Sequence, residues 1–108
     1  MSTYTLVELE KAAASTDVLS GTDLDQPKSA GIMKLWAAST VNTATLETPQ
    51  NGHDPGKTAL LRKRTDGIPS VNDDPCFVIP VQAGKRPVVV LAGTTGTVHV
   101  TAIFQPSN

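Results

Sequence analysis

The sequence predicts an all-β protein: an antiparallel β-sandwich or a jelly-roll-like small barrel with an N-terminal arm. Three observations support this prediction. The 108 residues include 14 Thr, 11 Val and 4 Ile, whose stiff β-branched side chains favour strands over helices. Eight Gly and eight Pro interrupt the chain at intervals that suit short strands joined by turns. Several segments alternate apolar and polar residues, and none forms a strand–helix–strand pattern.

Size and charge limit the class of protein. A length of 108 residues suits one domain. The hydrophobic fraction of 39% is too high for a disordered chain. The formal net charge is -1, which gives no electrostatic footprint for nucleic acid or an anionic membrane. No apolar run approaches the ~20 residues of a membrane-spanning helix. We therefore expect neither a nucleic-acid nor a membrane partner.

The first part of the chain, residues 1–30, is interpreted as an N-terminal arm and loop. Met1–Tyr4 lack the basic and apolar segments of a secretory signal, so we expect none. Thr5–Ala14 contains good helix formers but no wide stripe of large apolar residues, so a helix and an extended arm or edge strand both remain open; we favour the extended form. Ser15–Gly31 is rich in turn residues and predicts a long loop, with a short strand at Val18–Leu19.

The β-sandwich domain is assigned to residues 31–108. Ile32–Ala38 is predicted to be a strand in which Trp36, the only large ring available, fills the core. Thr43–Thr48 alternates and is predicted to be its hairpin partner. The turn-rich segment Pro49–Lys57 reads as a loop.

Four further strands follow in the second half. Thr58–Arg64 is predicted to be one continuous strand. Cys76–Gln82 is a strand that Pro80 places at a sheet edge or a bulge, because proline removes one hydrogen-bond donor from the ladder. Val88–Ala92 is a short apolar run, and Thr97–Phe104 alternates cleanly. We predict that these last two segments form a β-hairpin.

Residues that could carry chemistry are few. His53 and His99 are interpreted as loop and outer-face residues, since two histidines supply too few ligands for a structural zinc site. Asp23–Asp25 and Asp73–Asp74 are interpreted as turn residues, with a calcium site as the alternative. Cys76 is the only cysteine and is interpreted as a structural thiol, because nothing cationic is adjacent to it. The sequence predicts no catalytic, cofactor-binding or metal-binding residue, and hence no enzyme.

The chain resembles the small accessory proteins of tailed-phage virions that decorate or cement a capsid shell. The residues that carry the resemblance are Trp36–Thr45 and Gly93–Val100, two Thr/Ala/Val-rich segments with small-residue turns. The resemblance implies a β-sandwich or jelly-roll-like fold, self-association that is often trimeric, and binding to a lattice of major capsid protein. It also implies localisation in the virion, which would assemble in the host cytoplasm.

Self-association has a physical argument as well. The apolar run Val88–Ala92 is continuous where a strand with one exposed face would alternate, so both faces need cover. A neighbouring subunit would supply that cover; the alternatives are the N-terminal arm of the same chain and a central position between two layers. Arg62 and Arg64 point to one side of their strand, which suits a solvated strand end or ion pairs between subunits. The predicted oligomer or capsid contacts are therefore Val88, Val89, Val90, Arg62 and Arg64.

Two functions from other classes remain open at this point. One is a binding module that recognises a glycan or a host surface, with the loops Asn51–Gly56 and Gly67–Asp74 as the binding surface. The other is a small enzyme, for which His53 and His99 are the best residues to test.

Overall fold

The computed structural model describes residues 5–12, 17–41, 43–48, 57–93 and 96–107. Within these ranges the protein is all-β, as the sequence predicts, and eight strands form two sheets. In chain order the strands are β1 (Thr5–Ala12), β2 (Gly31–Ser39), β3 (Thr45–Thr48), β4 (Lys57–Leu60), β5 (Arg62–Lys63), β6 (Phe77–Val81), β7 (Val90–Ala92) and β8 (Thr97–Pro106).

The larger sheet has five strands built around β8 and β2, which pair antiparallel along the whole length of β2. Strand β1 pairs antiparallel with the other side of β8. Strands β6 and β5 share the remaining side of β2: β6 pairs antiparallel with Gly31–Leu35, and β5 pairs parallel with Ala38–Ser39. Of the two positions predicted for the strand around Pro80, an edge or a bulge, the structure shows the edge, since among the described strands β6 pairs only with β2.

The smaller sheet contains three antiparallel strands in the order β4-β3-β7. Both hairpins predicted from the sequence are therefore wrong. Thr45–Thr48 does not pair with β2, and β7 does not pair with β8; each connection instead passes from one sheet to the other. Alternation specifies which face of a strand is buried, but it does not specify the neighbouring strand.

The two sheets enclose one hydrophobic core. The larger sheet contributes alternate residues of β8, from Val98 to Phe104, together with Met33 and Leu35 of β2. The smaller sheet contributes Leu46 and Leu91. The alternation predicted for the last strand is confirmed, because its apolar face lies in this core.

The N-terminal part of the chain belongs to the same core. Thr5–Ala12 is extended, as favoured, and pairs with β8 over eight residues. Val18 and Leu19 are buried, but they form a turn and not the predicted strand. Leu24 is buried in the same cluster. The boundary at residue 30 between an N-terminal arm and a β-sandwich domain stays a prediction.

The prediction that the Trp36 ring fills the core is wrong. Its neighbours Leu35 and Ala37 belong to the core cluster, so Trp36 lies on the outer face of the larger sheet. The ring is nonetheless buried, and its Nε1 donates a hydrogen bond to the backbone oxygen of Asp73 at 2.7 Å. The loop that follows β5 therefore covers part of this outer face.

Leu61 marks the crossing of the chain between the two sheets. The segment Thr58–Arg64, predicted as one strand, is divided into β4 of the smaller sheet and β5 of the larger sheet. Leu61 lies between them, is buried, and donates its amide hydrogen to the carbonyl of Ala44 at 2.9 Å. A buried leucine at this point anchors the crossing by removing apolar area from water.

A cluster of three charged side chains holds the loop after β1. The Arg86 guanidinium donates to both oxygens of Asp17, and it also hydrogen-bonds Asp25. The second oxygen of Asp25 accepts the amide hydrogen of Gly21 at 2.8 Å. Arg86 follows Asp17 by 69 positions and Asp25 by 61 positions, so these contacts join distant parts of the sequence.

Candidate functional site

The most exposed apolar feature of the larger sheet is a group of side chains on its outer face, here called the outer apolar patch: Leu6, Ile32, Val78, Pro80 and Ile103. Leu6, Ile32 and Val78 are 51%, 43% and 52% exposed. A contiguous apolar surface rimmed by polar residues is typical of a site that binds another protein.

Strand register brings these side chains together. Leu6 of β1 lies opposite Ile103 of β8. On the other side of β8, Ile103 lies opposite Lys34 of β2, and Lys34 in turn lies opposite Val78 of β6. One row across the sheet thus has an apolar residue at three of four positions. Because side chains of directly opposed residues lie on the same face, all four share the outer face, with the charged Lys34 between Ile103 and Val78. In the adjacent row, Ile32 lies opposite Pro80.

A polar cleft of about 450 Å³ lies on the same side of the sheet, beyond Trp36. Its lining consists of the end of β2, the side chains of Leu60, Arg62, Arg64 and Cys76, and the loop residues 69, 70 and 72–74. The polar side chains in the wall are those of Arg62, Arg64, Ser70, Asn72, Asp73 and Asp74. Its volume lies within the range of ~300–1,000 Å³ that is typical of small-ligand sites.

Asp73 organises the charged wall of the cleft. Its Oδ2 accepts a hydrogen bond from Nη1 of Arg62 at 3.1 Å and lies 3.9 Å from Nη2 of Arg64. Both pairs are partly exposed, so each contributes little to stability. Both guanidinium groups lie near the Asp73 carboxylate in a cleft lining that also includes Trp36.

The base of the cleft lies at a gap in the sheet. Strand β6 pairs with β2 as far as Leu35, and β5 begins pairing at Ala38. Within this gap the Cys76 thiol lies 3.8 Å from the Ala37 carbonyl oxygen, and a thiol is a weak donor. Burial raises the pKa of the Cys76 thiol, so it is held protonated and is a poor nucleophile.

His99 lies on the outer face of β8. Its Nε2 is 2.9 Å from Oε2 of Glu10; because a carboxylate only accepts, Nε2 donates this hydrogen bond. Its Nδ1 is buried and has no hydrogen-bond partner among the residues that the structure describes. A Cβ at Gly67 would lie 3.5 Å from Nδ1, so the Gly67 segment covers this side of the ring. The surroundings are those of a packed side chain.

The contacts predicted from the sequence do not form a single surface. Val88 is 45% exposed and Val90 is half-buried, whereas Val89 is fully buried in the core. The continuous run therefore alternates in the fold, and Val89 is not available to a partner. Arg62 and Arg64 line the polar cleft instead.

Part of the predicted loop surface also lines the cleft. Residues 69, 70 and 72–74 of the segment Gly67–Asp74 contribute to its wall. The other predicted loop, Asn51–Gly56 with His53, lies outside the described residues.

Sequence reasoning missed the outer apolar patch and the role of Trp36. The patch is visible in the sequence only as apolar residues on the second face of alternating strands, such as Leu6 beside Val7 and Ile32 beside Met33. Nothing in a single strand shows that these strands join one sheet with these residues on the same face, because that depends on sheet order.

No family model, curated protein or solved structure matches this chain. In the described part of the chain, no helix is long and apolar enough to cross a membrane. The same residues contain no group of three His, Cys, Asp or Glu side chains positioned to hold a metal ion.

Proposed function

We propose that this protein is a non-enzymatic virion structural protein that binds and stabilises a capsid lattice, as a decoration or cement protein. The observation that carries the proposal is the outer apolar patch, where Leu6, Ile32 and Val78 are exposed on the same face of the larger sheet. Exposed apolar side chains on paired strands suit contact with another folded protein, because the backbone is already ordered and little conformational entropy is lost on binding.

Lattice binding also suits the size and charge of the chain. A net charge of -1 permits many copies to lie close together with little mutual repulsion. A linked group of subunits gains affinity from every simultaneous contact, so each single contact is weak and the assembly is still stable. A protein that binds only the assembled shell stabilises that shell by mass action. The major capsid protein is accordingly the proposed partner, and the virion the proposed location.

The test uses shells assembled from the major capsid protein that is encoded in the same genome. We expect the wild-type protein to sediment with these shells through a sucrose gradient and to raise their disassembly temperature. Val78→Lys places a charge in the outer apolar patch and should weaken binding about tenfold, because a desolvated charge at an interface centre is costly.

Val71→Lys is the matched control. Val71 is 51% exposed, against 52% for Val78, but it lies outside the outer apolar patch. The proposal requires Val71→Lys to bind as the wild type does. A genome without a capsid gene, or shells that leave the wild-type protein at the top of the gradient, would contradict the proposed function.

A further inference from the structure

We propose that the polar cleft beside Trp36 is a binding site for a neutral saccharide. This site is separate from the outer apolar patch, and its occupancy does not depend on capsid binding. Two properties of the cleft point to this class of ligand: a balance of charge and a mixture of free donors and acceptors.

The charge of the cleft is balanced. Arg62 and Arg64 face Asp73 and Asp74 among the lining residues, so positive and negative side chains are equal in number. Such a lining has no net field to concentrate an anion or a cation. A neutral ligand enters it without an uncompensated buried charge.

Both kinds of hydrogen-bonding group remain available. Among the described residues, the Asp74 carboxylate and the Asn72 side chain make no hydrogen bond. Arg64 has only the 3.9 Å contact with Asp73, so its donors are free as well. A sugar hydroxyl donates one hydrogen bond and accepts others, so adjacent hydroxyls can pair with a carboxylate and a guanidinium together.

The walls of the cleft are fixed before any ligand arrives. The hydrogen bond from Trp36 Nε1 to the Asp73 backbone holds the loop against β2. Within the loop, the amide of Asn72 donates to Oγ of Ser70 at 3.3 Å. A site that is already ordered loses less entropy on binding.

The experiment begins with a glycan array that carries neutral and sialylated glycans, probed with the full chain. We expect retention on neutral glycans. The best-retained neutral glycan is then titrated against the protein while tryptophan fluorescence is recorded. Trp36 is the only tryptophan in the chain, so a change in its emission reports on this cleft.

Asp74→Asn and Asn72→Ala test the location of the site. Both residues are exposed, so both variants should fold, which circular dichroism checks. Each should bind about tenfold more weakly, since each loses a hydrogen bond to the ligand. Asp23→Asn is the matched control, an exposed aspartate outside the cleft, and should bind as the wild type does.

Each other outcome overturns the proposal. Retention of no neutral glycan, or of sialylated glycans alone, contradicts the ligand class. Neutral-glycan binding that Asp74→Asn and Asn72→Ala both leave unchanged contradicts the location. None of these results bears on sedimentation with capsid shells.

Discussion

At the scale of single residues, the best-defined polar contacts are those that fix loops. Arg86 binds both Asp17 and Asp25, which precede it in the sequence by 69 and 61 positions. The pKa of Asp25 is lowered, first by the hydrogen bond from the Gly21 amide and then by the hydrogen bond from Arg86. The pKa of Arg86 is raised, mainly by its hydrogen bonds to Asp17 and then to Asp25. The loop after β1 is therefore held by charge-assisted hydrogen bonds.

This cluster predicts a dependence of stability on pH. Because the folded state lowers the pKa of Asp25 below 3.8, the stabilisation is complete above that value and is lost as the pH falls through the folded-state pKa. The free energy of unfolding in urea should decline in this acidic range, and it should decline less steeply in Asp25→Asn. Asp23→Asn, in the same loop, should keep the wild-type slope. Equal slopes for Asp25→Asn and the wild type would show that Asp25 has no such role.

At the scale of elements, the decisive feature is the passage of the chain between sheets. Leu60 and Leu61 are adjacent and chemically identical, yet Leu60 is 69% exposed and Leu61 is 2% exposed. The difference arises because β4 of the smaller sheet ends at Leu60, and the chain then passes to the larger sheet, where β5 begins at Arg62. The crossing carries Arg62 and Arg64 to the polar cleft.

The two leucines provide a matched test of this crossing. Leu61→Ala should lower the free energy of unfolding by about 3 kcal/mol, as expected when a buried leucine is truncated and a cavity remains. Leu60→Ala should change it by less than about 0.5 kcal/mol, the usual effect of an exposed substitution. Urea denaturation followed by circular dichroism measures both. Similar losses of unfolding free energy for the two variants would contradict the claim that Leu61 anchors the passage between the sheets.

At the scale of the whole molecule, the outer apolar patch lies on the larger sheet, whereas Val88 lies just before β7 of the smaller sheet. The two surfaces can therefore serve two partners, with the patch proposed for the capsid and Val88 for further copies of this chain. Val89, predicted from the sequence as a contact, is fully buried, so a charge there would unfold the protein before it could report on assembly.

Self-association is tested at Val88. We expect sedimentation equilibrium to give the mass of a trimer built from 11.3 kDa chains at tens of micromolar protein. Val88→Lys should shift the mass toward that of the monomer while leaving the circular dichroism spectrum unchanged, because the side chain is 45% exposed. Lys85→Ala, at an exposed position nearby in the sequence, is the control. A monomeric wild-type protein would contradict the prediction of an oligomer.

The sequence by itself determined the all-β class and the buried face of the last strand. It favoured the extended form of Thr5–Ala14, which the structure shows for Thr5–Ala12, and it placed Pro80 at an edge or a bulge, of which the structure shows the edge. Each of these depends on local physics: β-branched rotamers, a missing amide hydrogen and an alternation with a period of two. Local physics also identified Arg62 and Arg64 as sharing one side of the chain, and both line the cleft.

The tertiary structure alone decided which strands are neighbours. Sheet order placed Trp36 outside the core and put the two strands of each predicted hairpin in different sheets. It also divided Thr58–Arg64 between the sheets and brought Leu6, Ile32 and Val78 to one face. Alternation defines two faces of a strand but carries no information about which face of which other strand will lie beside it. That choice is made by long-range packing of the two sheets around a shared core, because only the complete set of pairings buries the apolar faces together.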